Sequence, residues 1–147
     1  MRLVLKNLKD TRELAQKLAR KWLKMPGPLV IALYGNLGAG KTTFVQFFAR
    51  ALGIKEKVLS PSFLIIKSFV LPNQAGRFRF LVHIDCYRLK SAKDLVALGL
   101  KDILKGKDNI VVIEWPGKIV RYLPKNTTRI CFKVVAEKER KVVIRNF

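Results

Sequence analysis

Leu29-Val30-Ile31-Ala32-Leu33-Tyr34 runs directly into Gly35-Asn36-Leu37-Gly38-Ala39-Gly40-Lys41-Thr42, and then into Thr43-Phe44-Val45-Gln46-Phe47-Phe48. The first run is apolar and bounded by turn signals, which predicts a buried central strand. The next eight residues match GxxxxGK[ST] in full, and a helix is predicted from Lys41 to about Leu52, closed by Gly53. Strand, glycine loop and helix in this order make a phosphate-binding loop. Its glycines let the backbone curl so that successive N–H groups face inward, and the helix N-terminus adds the positive end of its dipole. Lys41 is placed to reach the β- and γ-phosphates, and the Thr42 hydroxyl is a magnesium ligand. Gly35, Leu37, Gly38, Ala39, Gly40 and Thr43 are expected to contact the nucleotide. Average residue usage gives a chance match in roughly one chain of this length in a few hundred, and the strand–helix context lowers that further.

Such a site needs carboxylates at the ends of neighbouring strands. Phe80-Leu81-Val82-His83-Ile84 ends in Asp85, and Ile110-Val111-Val112-Ile113 ends in Glu114. If both strands run parallel to 29–34, both carboxylates arrive at one sheet edge, where ligands of α/β folds bind. One of Asp85 and Glu114 then joins Thr42 in the metal shell while the other orients the attacking water. For either alone, a cap or a surface ion pair is an ordinary use. Ser60-Pro61-Ser62-Phe63 reads equally as a γ-phosphate-sensing switch and as a plain turn. Arg88 is a candidate for phosphate charge, with a structural ion pair as the default. His83, the sole histidine, reads as a core or supporting residue, and Cys86 as packing. Trp115-Pro116 terminates the strand at Glu114, or offers an aromatic to a partner or base.

Around this centre, Asp10-Thr11-Arg12-Glu13 predicts a helix start with Asp10 or Thr11 as N-cap. Leu14, Ala15, Leu18, Ala19, Trp22 and Leu23 then recur at helical spacing, and Met25-Pro26-Gly27-Pro28 ends the helix. Residues 63–71 and 77–84 predict a hairpin-like pair. Ser91 caps a short helix through Leu98, and Gly99 separates it from a second. A short helix follows Pro116, and residues 128–135 and 141–144 predict paired strands. Residues 1–147 are therefore expected to form a single α/β P-loop NTPase domain, three-layer α/β/α with a mixed, largely parallel sheet.

Composition narrows the setting. No apolar run approaches the ~20 residues of a membrane helix, and the first residues offer no secretory signal. Cys86 and Cys131 form no CxxC pair, so a reducing, cytoplasmic location is inferred. Thirty Lys+Arg against ten Asp+Glu give a formal charge of +20. Residues 1–24 carry eight basic and two acidic side chains, and residues 101–147 carry twelve and five, so the excess is spread along the chain. Such a field favours polyanions such as RNA, although Lys-rich surfaces also arise from composition bias. No NKxD sequence reads guanine and no LSGGQ-type signature is present, leaving ATP as the expected nucleotide. A small-molecule kinase with Arg77 and Arg79 in a lid, and an ATP-gated RNA-binding module, are the alternatives.

Taken together, Leu33-Tyr34-Gly35-Asn36-Leu37-Gly38-Ala39-Gly40-Lys41-Thr42-Thr43-Phe44 resembles the LxGxLGAGKTTF loop of the TsaE family. The resemblance continues through Val58-Leu59-Ser60-Pro61-Ser62-Phe63, His83-Ile84-Asp85-Cys86-Tyr87-Arg88-Leu89, Leu98-Gly99-Leu100, Val112-Ile113-Glu114-Trp115-Pro116 and Leu123-Pro124. It implies a slow, Mg-dependent ATPase in threonylcarbamoyladenosine (t6A) modification of tRNA. The family acts with TsaB and TsaD and does not itself transfer the threonylcarbamoyl group. It further implies Thr42 and Glu114 as magnesium ligands, Asp85 as a catalytic carboxylate, Thr11 near the nucleotide, and Trp115 as the family's tryptophan. Arg140 loosely fits a C-terminal R-x-h-x-h pattern (h, hydrophobic). The sequence departs from the family at Ser62, where SPTF or SPTY is usual, and in its charge.

Overall fold

The computed structural model describes residues 1–59, 65–72 and 76–146. One seven-stranded sheet organises them, in the order β1-β7-β6-β2-β5-β4-β3. The strands are β1 Arg2–Leu5, β2 Leu29–Tyr34, β3 Ile66–Val70, β4 Phe80–Asp85, β5 Asn109–Glu114, β6 Thr128–Val134 and β7 Arg140–Arg145. At its centre β6, β2, β5 and β4 are parallel neighbours, while β3, β7 and β1 pair antiparallel at the margins. β2 and β5 are almost wholly buried, as continuous apolar strands in a parallel sheet must be when both faces are covered.

One face is covered by α1 (Leu8–Trp22) and α2 (Lys41–Ala51). In α1 the buried residues Thr11, Leu14, Ala15, Leu18, Ala19 and Trp22 recur every three or four positions, giving one apolar stripe toward the sheet. Trp22 meets Phe48 edge-on at 5.7 Å, and Phe44 stacks on Phe48 and tilts against Phe132 of β6. A second, smaller core lies on the other face, where α3 (Ala92–Ala97), α4 (Leu100–Lys105) and the 3-10 helix η1 (Pro116–Tyr122) cover β4, β5 and β2. The third layer thus spans only half of the sheet.

The predicted hairpin is β3 with β4, the pair after Ser91 is α3 and α4 joined at Gly99 (φ +88°), and the last two strands are β6 and β7. Two features differ from the sequence reading. α1 begins at Leu8, its N-cap being Asn7 rather than Asp10 or Thr11. Asn7 Oδ1 accepts from Asp10 N at 3.1 Å, and Asp10 Oδ2 accepts from Lys6 N at 2.7 Å. Asn7 thus caps the helix while Asp10 reaches back to the residue before the cap, and Thr11 and Glu13 lie inside the helix, beyond its true start. The second is β1, unforeseen because the four residues Arg2-Leu3-Val4-Leu5 of this edge strand do not alternate polar with apolar.

Gly35 shows how tightly the loop is seated. Its φ is +142°, and a Cβ there would lie 2.5 Å from the backbone oxygen of Phe132. Neither the angle nor the contact can be relieved by a side-chain movement. Gly35→Ala is expected to destabilise the fold by at least about 2 kcal/mol, read as a lower urea midpoint. An unchanged midpoint would show that the loop and β6 are free to separate.

Candidate phosphate-binding site

The parallel register brings the predicted residues to one edge. Asp85 of β4 and Glu114 of β5 are register partners, and Leu33 of β2 is level with Glu114. Both acids therefore end strands beside the loop and the N-terminus of α2. Gly40 caps that helix with φ +100°, a conformation that a residue with a Cβ rarely adopts. Cys86 N donates to Glu114 O at 3.0 Å, tying the two strand ends together.

Glu114 is buried, with 1% of its surface exposed. Thr42 Oγ1 donates to its Oε2 at 2.9 Å and lies 3.1 Å from Oε1. From the other side His83 Nε2 lies 2.9 Å from Oε1, a separation at which an Nε2–H donates to a carboxylate. His83 is fully buried, and its Nδ1 has no hydrogen-bond partner among the described residues. His83, read from the sequence as a core or supporting residue, is buried in direct contact with Glu114. Asp85 Oδ1 accepts from Tyr87 N at 2.9 Å, closing the turn after β4.

Lys41 is only 4% exposed. Its Nζ donates to Gly35 O at 2.8 Å and Asn36 O at 3.0 Å, folding back over the loop. The same ammonium sits 3.9 Å from the centre of the Trp115 ring, a cation–π contact. Burial lowers the Lys41 pKa, while Glu114 and Asp85 pull it upward. Trp115 adopts φ +55° and ψ +50°, a left-handed conformation costing a bulky residue on the order of 1–3 kcal/mol. That turn aims the indole at Lys41, and Tyr87 supports it at 4.9 Å between ring centroids. Burial, with Asp85 adding to it and Lys118 opposing, pushes the Cys86 thiol up to about 12. Cys86 is therefore an inert packing residue at neutral pH.

Two cavities flank the loop. One of about 350 Å³ is lined by Leu37, Lys41, Thr42, Asp85, Glu114 and Trp115, with Arg88 also on its wall. The other, of about 550 Å³, lies between the loop, the start of α1 and the β6–β7 hairpin. Gly38, Gly40 and Thr43 border both, and Thr11 and Ala39 line the larger one. Ser62 falls outside the described residues. Sequence reasoning missed Asn7, Leu8, Lys9, Phe132, Glu137 and Lys138 on the larger cavity's wall. From the C-terminal strands the one visible signal was Arg140, whose guanidinium donates to Glu137 O at 3.0 Å and reaches Gly38 O at 3.4 Å. Among the described residues no cluster of three His, Cys, Asp or Glu side chains forms a ready metal cage. Magnesium is commonly held by one or two carboxylates plus substrate phosphates, with water completing its shell. The adjacent Thr42 and Glu114 oxygens fit that pattern.

Buried parallel strands, a glycine loop opening α2, and two acids at the adjoining strand ends define an α/β protein of the P-loop class. The family model for threonylcarbamoyl adenosine biosynthesis protein TsaE matches residues 5–142. The chain is 37% identical over 139 residues to the Bacillus subtilis (strain 168) tRNA threonylcarbamoyladenosine biosynthesis protein TsaE, covering 92% of this chain and 79% of that protein. It is 36% identical over 115 residues to the Treponema pallidum (strain Nichols) protein of the same name, covering 78% and 80%. The crystal structure of Bacillus subtilis YdiB superposes with a TM-score of 0.76 at 30% identity, over 98% of this chain and 83% of that one. This chain belongs to the TsaE family, and its role lies in tRNA threonylcarbamoyladenosine biosynthesis. No described helix is long and apolar enough to cross a membrane.

Proposed function

We propose that this chain binds MgATP and hydrolyses it slowly as an accessory ATPase of t6A formation, acting with TsaB and TsaD. The observation that carries the reading is the 2.9 Å pairing of Thr42 Oγ1 with Glu114, beside Lys41 and opposite Asp85. The smaller cavity takes the phosphates. The larger one takes the nucleoside, with Thr11 and Arg140 on its wall and a volume within the ordinary range for such ligands. Thr42 and Glu114 would hold magnesium, which neutralises phosphate charge when bound. Asp85, the register partner of Glu114 on the cavity wall, orients the attacking water and accepts its proton. On phosphate binding Lys41 exchanges its two backbone carbonyls for phosphate oxygens, which releases its contact with Trp115.

His83 enters this account as the residue that fixes the rotamer of Glu114. His83→Leu is expected to slow hydrolysis about tenfold and raise the magnesium concentration needed for tight nucleotide binding, because partners behind a metal ligand tune it. His83→Gln, which can keep an N–H near Nε2, should restore part of both. Equal behaviour of the two variants would remove His83 from the site.

The proposal is tested by following phosphate release from ATP with the protein alone and with TsaB and TsaD added. Slow, magnesium-dependent release with retention of the partners on a column in ATP is expected. Transfer of the γ-phosphate to a metabolite would instead establish the kinase reading.

A further inference from the structure

We infer that the open face of β1, β7 and β6 is a docking surface for an RNA phosphate backbone, an inference that rests on the tRNA-modification reading. Along β6 and β7, Ile130, Phe132, Val142 and Ile144 point into the core beneath α1 and α2. Strand alternation sends the intervening residues to the opposite face. These include Arg129, Lys133, Lys141 and Arg145, joined from β1 by Arg2. Among the described residues, the second core takes nothing from these three strands, so no helix covers this face.

The charge arrangement on it is unusual. Arg129 stands directly opposite Arg145, and Lys133 directly opposite Lys141. Like charges facing each other across strands oppose folding, and surfaces ordinarily interleave the two signs. Here no strand of the three contains an Asp or Glu. Among the described residues none of the five cations forms an ion pair, and Arg129 Nε is buried without a hydrogen-bond partner. The two acids between β6 and β7, Glu137 and Glu139, lie in the hairpin turn, and Glu137 lines the nucleoside cavity on the other side of the sheet. The spread of charge along the sequence therefore becomes a local grid in the fold. At strand spacings it extends about 13 Å by about 10 Å, a compass spanning several phosphates.

The grid fits nucleic acid better than protein. Protein interfaces centre on buried aromatic or aliphatic anchors, and among the described residues of these three strands the only strongly exposed apolar side chain on this face is Val4. Nucleic-acid interfaces are instead polar and densely cationic, and phosphate contacts come from Arg and Lys.

The test uses the full chain and an unmodified tRNA transcript, with binding followed by fluorescence anisotropy between 50 and 200 mM KCl. Five phosphate contacts give a log–log salt slope of about −3.5 to −4.5, so affinity should fall roughly 130- to 500-fold over that range. The triple variant K133Q/K141Q/R145Q should flatten the slope by about 2–3 while ATP hydrolysis stays unchanged. Its melting temperature should be no lower than that of the parent, since it removes both like-charge pairs. A control, K93Q/K101Q/K105Q on α3 and α4, loses the same formal charge elsewhere and should keep the parental slope. Parental binding by the first variant, or equal weakening of both, would overturn the inference. Tighter binding of polyglutamate than of tRNA would assign the face to an acidic protein instead. If the parent fails to bind tRNA while its depletion still erases t6A, this inference falls and the pathway reading stands.

Discussion

Lys41→Ala is expected to abolish measurable nucleotide binding, with affinity lowered at least a hundredfold. In the free protein the ammonium is held by two loop carbonyls at 2.8 and 3.0 Å and capped by the Trp115 ring. Burial disfavours its charged form, with Glu114 and Asp85 opposing. Charge-assisted hydrogen bonds contribute about 1.5–3 kcal/mol each. Losing two removes at least about 3 kcal/mol, which is a hundredfold or more in affinity. The variant also leaves the Gly35 and Asn36 carbonyls without their donor, so circular dichroism and melting should accompany a titration with fluorescent ATP analogue. A folded variant that binds within a few-fold of the parent would refute the assignment of the phosphate cavity.

Glu114→Gln should act on the rate rather than on binding. Glutamine keeps the volume of a side chain that is 1% exposed, and it keeps an oxygen for Thr42 or His83 while losing the charge. Hydrolysis is expected to fall on the order of a hundredfold, the scale for removing one preorganised group. At saturating magnesium the dissociation constant should move only a few-fold, because an interaction stronger in the transition state appears mainly in turnover. The magnesium concentration needed for binding should rise at least as much as in His83→Leu. Asp85→Asn should show the same split. Single-turnover hydrolysis with parallel nucleotide titrations reads both quantities. Near-normal turnover in both variants would contradict the two-carboxylate site.

Much of this was legible because local chemistry and fold agree at the loop. An apolar strand, glycines that only special backbone angles require, and a lysine–threonine helix start allow one arrangement. Asp85 and Glu114 were legible as strand-terminal acids, but their meeting depended on β4 and β5 both being parallel to β2, which spacing alone left conditional. The contact between His83 and Glu114 joins residues on separate strands, and a lone histidine in an apolar run carries no local sign of its partner. The Trp115 turn was similarly hidden, since Trp-Pro reads only as a strand end. The cap of α1 was misplaced because Asn7-x-x-Asp10 has the same spacing as Asp10-x-x-Glu13, three residues earlier. The larger cavity joins the loop to the start of α1 and the β6–β7 hairpin, elements far apart in sequence, and beyond the loop only Thr11 and Arg140 hinted at it. The cationic face emerged only from register, which turns scattered basic residues into opposed pairs.

The central claim is that this chain's nucleotide site serves t6A formation. Its most direct test is depletion of the protein followed by quantification of t6A in ANN-decoding tRNA by mass spectrometry. The modified nucleoside should disappear, and return with the parental chain but not with Lys41→Ala or Glu114→Gln. Unchanged t6A after depletion, or full rescue by both variants, would contradict it.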